Sequence, residues 1–267
     1  MRVRKRFGQH FLHDPGIIRR IVDAVAPAFG ERIVEVGPGR GALTFALLER
    51  AKTLVVIEID RDLAQQLRAD ARGRDCLRVR VESVLDTDFA ALRAGGEQLR
   101  VVGNLPYNIS TPLLFRLLSQ RAAIFDMHFM LQKEVVDRMA AQPGNKDYGR
   151  LTVMLAAYAR IERLFDVGPG AFEPPPRVWS AVVRVRPSLE PRFGIGNDGA
   201  LRALVTAAFS HRRKTLRNGL KGLLDPQDIE ACGIDPRLRP EVLAPAQFGL
   251  LAAHYAGLRA MAAGQCS

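Results

Sequence analysis

The sequence predicts an α/β fold: a mostly parallel sheet with helices on both faces, followed by a small helical domain. Three observations predict it. Short apolar runs alternate with amphipathic segments between residues 14 and 187, the signature of buried parallel strands joined by helices. A glycine-rich turn, Gly37-Pro-Gly-Arg-Gly41, stands between the first of these runs and the helix after it. After Pro187 the alternation stops and only helical periodicity remains.

The elements follow in order. Asp14-Pro15 reads as a helix start, an N-cap with proline at the first helical position. Ile17, Ile18, Ile21, Val22 and Val25 then share one face, and Pro27 and Gly30 close the segment. Strands are expected at 32–36, 53–59, 77–81, 99–103, 127–131 and 180–185, with helices at 42–50, 62–71, 112–119 and 133–141. Tyr148 and Arg150 fall in a polar loop with no assigned element. Residues 191–199, rich in Gly and Pro, read as a linker. Helices are expected beyond it at 201–209, 214–224 and 247–258. The domains are therefore drawn as 1–190 and 191–267.

Composition bounds the function. A chain of 267 residues, 48% hydrophobic, can bury a sizeable core. It has no apolar run of the roughly 18 residues that suggest a membrane span. The basic Met1-Arg-Val-Arg-Lys-Arg6 leads into Gly-Gln-His rather than an apolar stretch, so the expected location is cytoplasmic. Cys76, Cys232 and Cys266 lack C-x-x-C spacing, which argues against a disulfide framework or a metal site. The net charge of +11 points to a polyanionic partner, with nucleic acid the natural candidate.

Two motifs carry chemistry. In Glu35-Val-Gly-Pro-Gly-Arg-Gly41, glycine allows a tight turn and close approach of a ligand. Glu58 ends the next strand, where a carboxylate can accept from both ribose hydroxyls. Gly37-x-Gly39-x-x-Ala42 also fits a relaxed dinucleotide fingerprint, so NAD and S-adenosylmethionine both remain open at this point. Glu35 tilts the choice to S-adenosylmethionine, because a carboxylate repels a pyrophosphate and attracts a cationic methionine end.

Asn104-Leu-Pro-Tyr107 sits at the carboxyl end of an expected strand, where open α/β sheets place their chemistry. It resembles the catalytic motif of methyltransferases acting on adenine N6. An exocyclic adenine amine is a poor nucleophile because its lone pair is delocalised into the ring. Two acceptors aimed at its N–H groups favour a more tetrahedral nitrogen. The Asn104 side-chain oxygen is one candidate acceptor, and the carbonyl of Leu105 or Pro106 the other. Tyr107 can stack on the base. A methyl sulfonium is itself the electrophile, so this chemistry needs no metal.

Six ordered blocks then identify a family resemblance over almost the whole chain. They are Lys5-Arg-Phe-Gly-Gln-His-Phe-Leu-His-Asp14, Val34-Glu-Val-Gly-Pro-Gly-Arg-Gly-Ala-Leu-Thr44 and Val102-Gly-Asn-Leu-Pro-Tyr-Asn-Ile-Ser-Thr-Pro112. The others are Met127-His-Phe-Met-Leu-Gln-Lys-Glu134, Ala171-Phe-Glu-Pro-Pro-Pro-Arg-Val178 and Phe209-Ser-His-Arg-Arg-Lys-Thr-Leu-Arg-Asn218. The chain resembles the ribosomal RNA small-subunit adenine dimethyltransferases, the kasugamycin-sensitivity dimethyladenosine transferase family.

The resemblance implies a Rossmann-like class I methyltransferase sheet of seven strands. It implies N6,N6-dimethylation of two adjacent adenosines in the 3′-terminal hairpin loop of 16S rRNA, within the 30S subunit or its precursor, using S-adenosylmethionine. On this reading His10, Leu12, Gly37, Gly39, Glu58, Ser83 and Asn104 bind the cofactor. Asn104, Leu105, Pro106 and Tyr107 form the catalytic turn, and Phe172 stacks on a flipped adenine opposite Tyr107. The basic residues Arg4, Lys5, Arg6, Arg212, Arg213, Lys214 and Arg217 are the expected RNA contacts. A monomer is expected, since the resemblance accounts for the chain without an extra interface.

Two positions depart from the family pattern. His10 stands where Asn is usual, and Ser83-Val-Leu85 where an acidic block usually meets the cofactor's adenine, with Glu82 as a neighbouring substitute. The competing readings are an adenine-N6 methyltransferase for another RNA or DNA, and a ribosome-assembly factor whose binding role outweighs catalysis. An NAD oxidoreductase would leave Asn-Leu-Pro-Tyr unexplained.

Overall fold

The computed structural model describes residues 10–51, 53–72, 76–93, 96–106, 109–195, 197–210 and 213–264. The chain starts with β1 (Phe11–Leu12) and α1 (Pro15–Val25). The Asp14 carboxylate accepts the Ile17 N–H at 2.9 Å with Pro15 at the first helical position, as the sequence predicts. The alternating part runs β2 (Arg32–Val36), α2 (Ala42–Ala51), β3 (Leu54–Glu58), α3 (Arg61–Asp70), β4 (Leu77–Val81), β5 (Leu99–Asn104), α4 (Ser110–Ser119) and β6 (Ile124–Gln132). After it come α5 (Lys133–Ala140), α6 (Arg150–Ala156), β7 (Ala159–Val167), β8 (Phe172–Glu173) and β9 (Ser180–Pro187). The last helices are α7 (Asp198–Ala208), α8 (Leu216–Gly219), α9 (Pro226–Ala231) and α10 (Pro245–Gly264).

Seven strands form one sheet in the order β4-β3-β2-β5-β6-β9-β7. Strands β2 to β6 run parallel, and β9 is antiparallel to β6. From β2 the chain winds outward through β3 and β4, then returns to place β5 on the other side of β2. The winding therefore reverses between β2 and β5, and the crevice outside the carboxyl ends of these strands is where such sheets bind ligands. Gly103 permits the close approach of the two strands there: a Cβ on it would stand 2.5 Å from the Val36 carbonyl oxygen. At the opposite, amino end, Arg100 forms a two-pronged pair with Asp126 at 2.9 and 2.8 Å and reaches Glu31 at 2.8 Å.

The chain divides into two compact units, residues up to 136 with 162–187, and 137–161 with the residues from 188 onward. The second unit thus takes in residues 137–161, from within α5 to the start of β7, as well as the residues beyond 187. In that unit α7 packs on α10 and α6 on α7. Tyr148, unassigned from sequence, is buried here; its hydroxyl donates to the Leu243 carbonyl at 2.7 Å, and its ring meets Phe209 edge-on while Phe209 stacks on Phe248. The expected linker is tied down at Arg192, whose backbone N–H donates to Ala157 and whose guanidinium donates to the Ala156 and Ala159 carbonyls.

Strands β1, β7 and β8 and helices α6 and α9 have no counterpart in the sequence expectation, and the helix expected at 214–224 is shortened. Strand β7 is alternately charged and half-exposed at the sheet edge, so it presents no apolar run. Helix α6 follows an uninformative polar loop. Residues 214–224 contain only the short helix α8, because Gly219 ends it and Gly222 adopts φ +88°. Among the described residues no helix is long and apolar enough to cross a membrane, and no group of three or more His, Cys, Asp or Glu could hold a metal ion.

Candidate active site

The crevice at the winding reversal opens into a cavity of about 340 Å³. Its floor is the loop after β2, where Gly37, Gly39 and Gly41 all have positive φ. The Gly37 N–H donates to the Ile57 carbonyl at 3.0 Å, which ties the loop to β3. The Phe11 ring closes over this loop, 3.0 Å from where a Cβ on Gly39 would stand.

Glu58, at the end of β3, accepts the Gly39 N–H at 3.3 Å and the Asp60 N–H at 2.9 Å. Burial pushes its carboxyl above the ordinary range, and these backbone donors oppose that shift. Two backbone amides thus fix the carboxylate at the cavity wall, oriented to accept hydroxyl donors from a ribose. Glu35 is 2% exposed and takes the Thr44 hydroxyl at 2.6 Å. Burial pushes its pKa to about 8, the Thr44 hydrogen bond lowers it, and the charge of Glu58 raises it. A buried acid of this kind is suited to a cationic ligand group, which would return it to its charged form.

Asn104 ends β5 at the cavity wall. Its amide nitrogen donates to the His10 carbonyl at 3.0 Å. Only the NH2 end can bond to a carbonyl, so the geometry orients the amide and leaves the Oδ1 acceptor facing away from His10. Leu105 is buried, and its N–H donates to the Met130 carbonyl at 3.1 Å. The Pro106 carbonyl accepts the Ile109 N–H at 3.2 Å. The Leu105 carbonyl has no hydrogen bond among the described residues, which makes it the more available of the two expected acceptors.

The segment 10–13 is held over the cavity from residues 171–174. Strand β1 pairs antiparallel with β8, Phe11 opposite Glu173 and Leu12 opposite Phe172. The His13 N–H donates to the Ala171 carbonyl at 3.0 Å, and His10 Nδ1 donates to the Pro174 carbonyl at 2.7 Å. Arg40 adds a 3.1 Å pair with Glu173 and lies over the Phe11 ring. His10 therefore meets Asn104 through its backbone, an interaction any residue at position 10 could make.

The structure brings together His10, Leu12, Gly37, Gly39, Glu58, Ser83, Asn104, Leu105 and Pro106 around one cavity. Ser83 and Glu82 both line it. The Ser83 hydroxyl accepts the Leu85 N–H at 3.3 Å, while Glu82 is engaged by Arg80 at 3.0 and 3.1 Å and by the Thr87 hydroxyl at 3.0 Å. Phe172 is not brought to the cavity. It is 2% exposed and packs in the apolar core with Leu12 and Ile21. In this position it pairs with Leu12 and holds β8 against β1. Tyr107, Arg4, Lys5, Arg6 and Arg212 lie outside the described residues. Arg213, Lys214 and Arg217 belong to the second unit, are exposed, and make no ion pair among the described residues.

Sequence reasoning missed Phe11, Ile59, Val84, Leu85 and Ile109 as cavity wall. Ile59 carried a usable signal, an apolar side chain directly after the strand-ending acid that remains 54% exposed.

Comparisons with known proteins agree with this geometry. The family model for ribosomal RNA adenine dimethylase matches residues 1–256. The ribosomal RNA small subunit methyltransferase A of Pseudomonas aeruginosa is 53% identical over 257 residues, covering 96% of each chain. That of Nitrosococcus oceani is 55% identical over 245 residues, covering 91% of this chain and 92% of the relative. Among solved structures, a dimethyladenosine transferase from Plasmodium falciparum superposes with TM-score 0.80 at 26% identity, covering 93% of this chain and 98% of the other. The 23S rRNA methyltransferase ErmE superposes with TM-score 0.72 at 26% identity, covering 92% and 99%. With a seven-stranded, mostly parallel sheet, a glycine-floored cavity and Asn104 at its wall, the chain belongs to the ribosomal RNA adenine dimethylase family.

Proposed function

We propose that this protein transfers methyl groups from S-adenosylmethionine to N6 of adenosine in small-subunit ribosomal RNA. The orientation of Asn104 carries the reading: its amide nitrogen is committed to the His10 carbonyl, so Oδ1 is the atom left to accept from a target amine. The cavity residues fit the cofactor. Glycines admit it closely, Glu58 can accept from its ribose hydroxyls, and Glu35, protonated in the empty site near neutral pH, would lose its proton against the cationic amino-acid end. When bound, S-adenosylmethionine supplies an electrophilic methyl group.

The chain's own residues do the rest by positioning and electrostatics. Asn104 Oδ1 and the Leu105 carbonyl accept the two N–H groups of the adenine amine, which localises its lone pair. The buried Leu105 and its bond to Met130 hold that carbonyl in place. Tyr107 is the stacking partner expected for the base. The finer reading is that two adjacent adenosines in the 3′-terminal hairpin loop of 16S rRNA are dimethylated, within the 30S subunit or its precursor, by a cytoplasmic monomer. Arg213, Lys214 and Arg217 contact phosphates, and the sequence adds Arg4, Lys5, Arg6 and Arg212 to that set.

The test is transfer from labelled S-adenosylmethionine to unmethylated 30S subunits, comparing wild type with Asn104→Ala and mapping the product base. The expected result is N6,N6-dimethyladenosine in the 3′-terminal hairpin, with the rate reduced roughly 100- to 1000-fold in the variant. Label on duplex DNA or 23S rRNA but not on 30S particles would overturn the assignment. Assembly of 30S subunits supported equally by Asn104→Ala would favour a binding role beside catalysis.

A further inference from the structure

The chain has a single tryptophan, Trp179, and it is 55% exposed. An exposed indole is costly to leave in water, and its place in the fold gives it a use. Residue 179 directly precedes β9, whose Ser180 pairs with Gln132 at the carboxyl end of β6. In the same register Val182 pairs with Met130, and Met130 pairs with Asn104. Trp179 therefore lies two strands from Asn104 and three residues beyond its level, on the edge of the sheet where the cavity opens. Strand spacing and rise put the two about 14 Å apart.

The indole is held in place. The Trp179 carbonyl accepts the Lys133 N–H at 2.8 Å. The six-membered ring rests against Gly168, 3.6 Å from where a Cβ would stand. Just before it, the chain runs through three prolines, Pro174 to Pro176, which restrict the backbone. Arg177 is exposed and has no ion pair among the described residues. A seated, exposed ring two residues along the chain from an exposed guanidinium is a combination suited to a nucleotide, base on the ring and phosphate on the cation.

We propose that Trp179 is a stacking platform for an unpaired base of the RNA substrate, a neighbour of the target adenosine, with Arg177 contacting its phosphate. The inference rests on the reading of this protein as an RNA methyltransferase. It adds a contact outside the cavity that fixes where the RNA strand runs. Such a contact acts on binding and leaves the reacting atoms untouched.

The sole tryptophan makes its own probe. Tryptophan emission is followed while a short RNA hairpin with two adjacent loop adenosines is titrated to saturation, with saturation read independently by anisotropy of a label on the RNA. Emission is expected to quench, and an abasic replacement at one loop position beside the adenosines is expected to abolish the quench. On unmethylated 30S subunits, Trp179→Ala is expected to raise KM roughly 5- to 100-fold with kcat nearly unchanged, and Trp179→Phe to recover most of the loss. Unmoved emission at saturation, or a wild-type KM for Trp179→Ala, would overturn the proposal. So would loss in both variants together with a lowered melting temperature, which marks a structural role. Quenching without any methyl transfer by the wild type would sink the enzymatic reading and leave the stacking contact standing.

Discussion

Strands β5 and β6 begin at one charged cluster, and β2 and β3 end at another. At the amino end, Arg100 is closed on Asp126 and Glu31, and burial is answered by hydrogen bonds that push the guanidinium pKa upward. At the carboxyl end, Glu35 and Glu58 are as deeply buried but face no cation among the described residues; only a hydroxyl and backbone amides serve them. Both carboxyls are pushed upward. One end satisfies its charges internally and holds the sheet together. The other keeps acids that a ligand must complete, which is the pattern of a binding site.

The sharpest way to break this contrast is at the closed end. Arg100→Met leaves Asp126, 1% exposed, without its cation. Denaturant unfolding should show a loss of about 3–5 kcal/mol, with the affinity of the remaining folded protein for S-adenosylmethionine unchanged. At the open end the signs reverse. Glu58→Gln should weaken cofactor binding by calorimetry roughly 10- to 100-fold, the range for a lost charge-assisted hydrogen bond, while stability holds or rises.

Glu35 sharpens the comparison through pH. Its folded pKa of about 8 stands above the ordinary 4.5. Between those values the folded chain holds a proton that the unfolded chain has lost, so stability of the cofactor-free protein should fall as pH rises from 4.5 to 8. Glu35→Gln should flatten that slope in melts across the range. It should also remove the proton release that accompanies cofactor binding near neutral pH in the wild type, measured by calorimetry in buffers of different ionisation heat. The smallest effect belongs to Arg40→Ala. Its pair with Glu173 is exposed on both sides, and a melt should register less than about 1 kcal/mol.

Much of this was legible because both motifs are local. The glycine loop and Asn104-Leu-Pro-Tyr107 each follow a buried parallel strand, and continuous apolar runs mark such strands. Edge strand β7 was not legible, because a half-exposed strand with alternating charges carries no run to read. The surroundings of Phe172 were not legible for a related reason. The aromatic ahead of three prolines looks like a stacking group in sequence, and its burial follows from pairing with Leu12, a contact that no local pattern records. The boundary drawn at a linker follows composition, which marks turns, whereas the grouping of residues 137–161 with the residues beyond 187 follows packing, which composition does not record.

The pairing of β1 with β8 also has a temporal side. The hydrogen bond from His10 to Pro174 spans 164 residues of chain. During synthesis, every strand of the cavity floor can be in place before residue 172 exists, yet the wall formed by His10, Phe11 and Leu12 cannot close until it does. Long-range closures of this kind come late and slowly. The last segment to join the site is therefore among the first to be made, and a nascent chain cut short of β8 has its glycine loop and Asn104 but no roof over them.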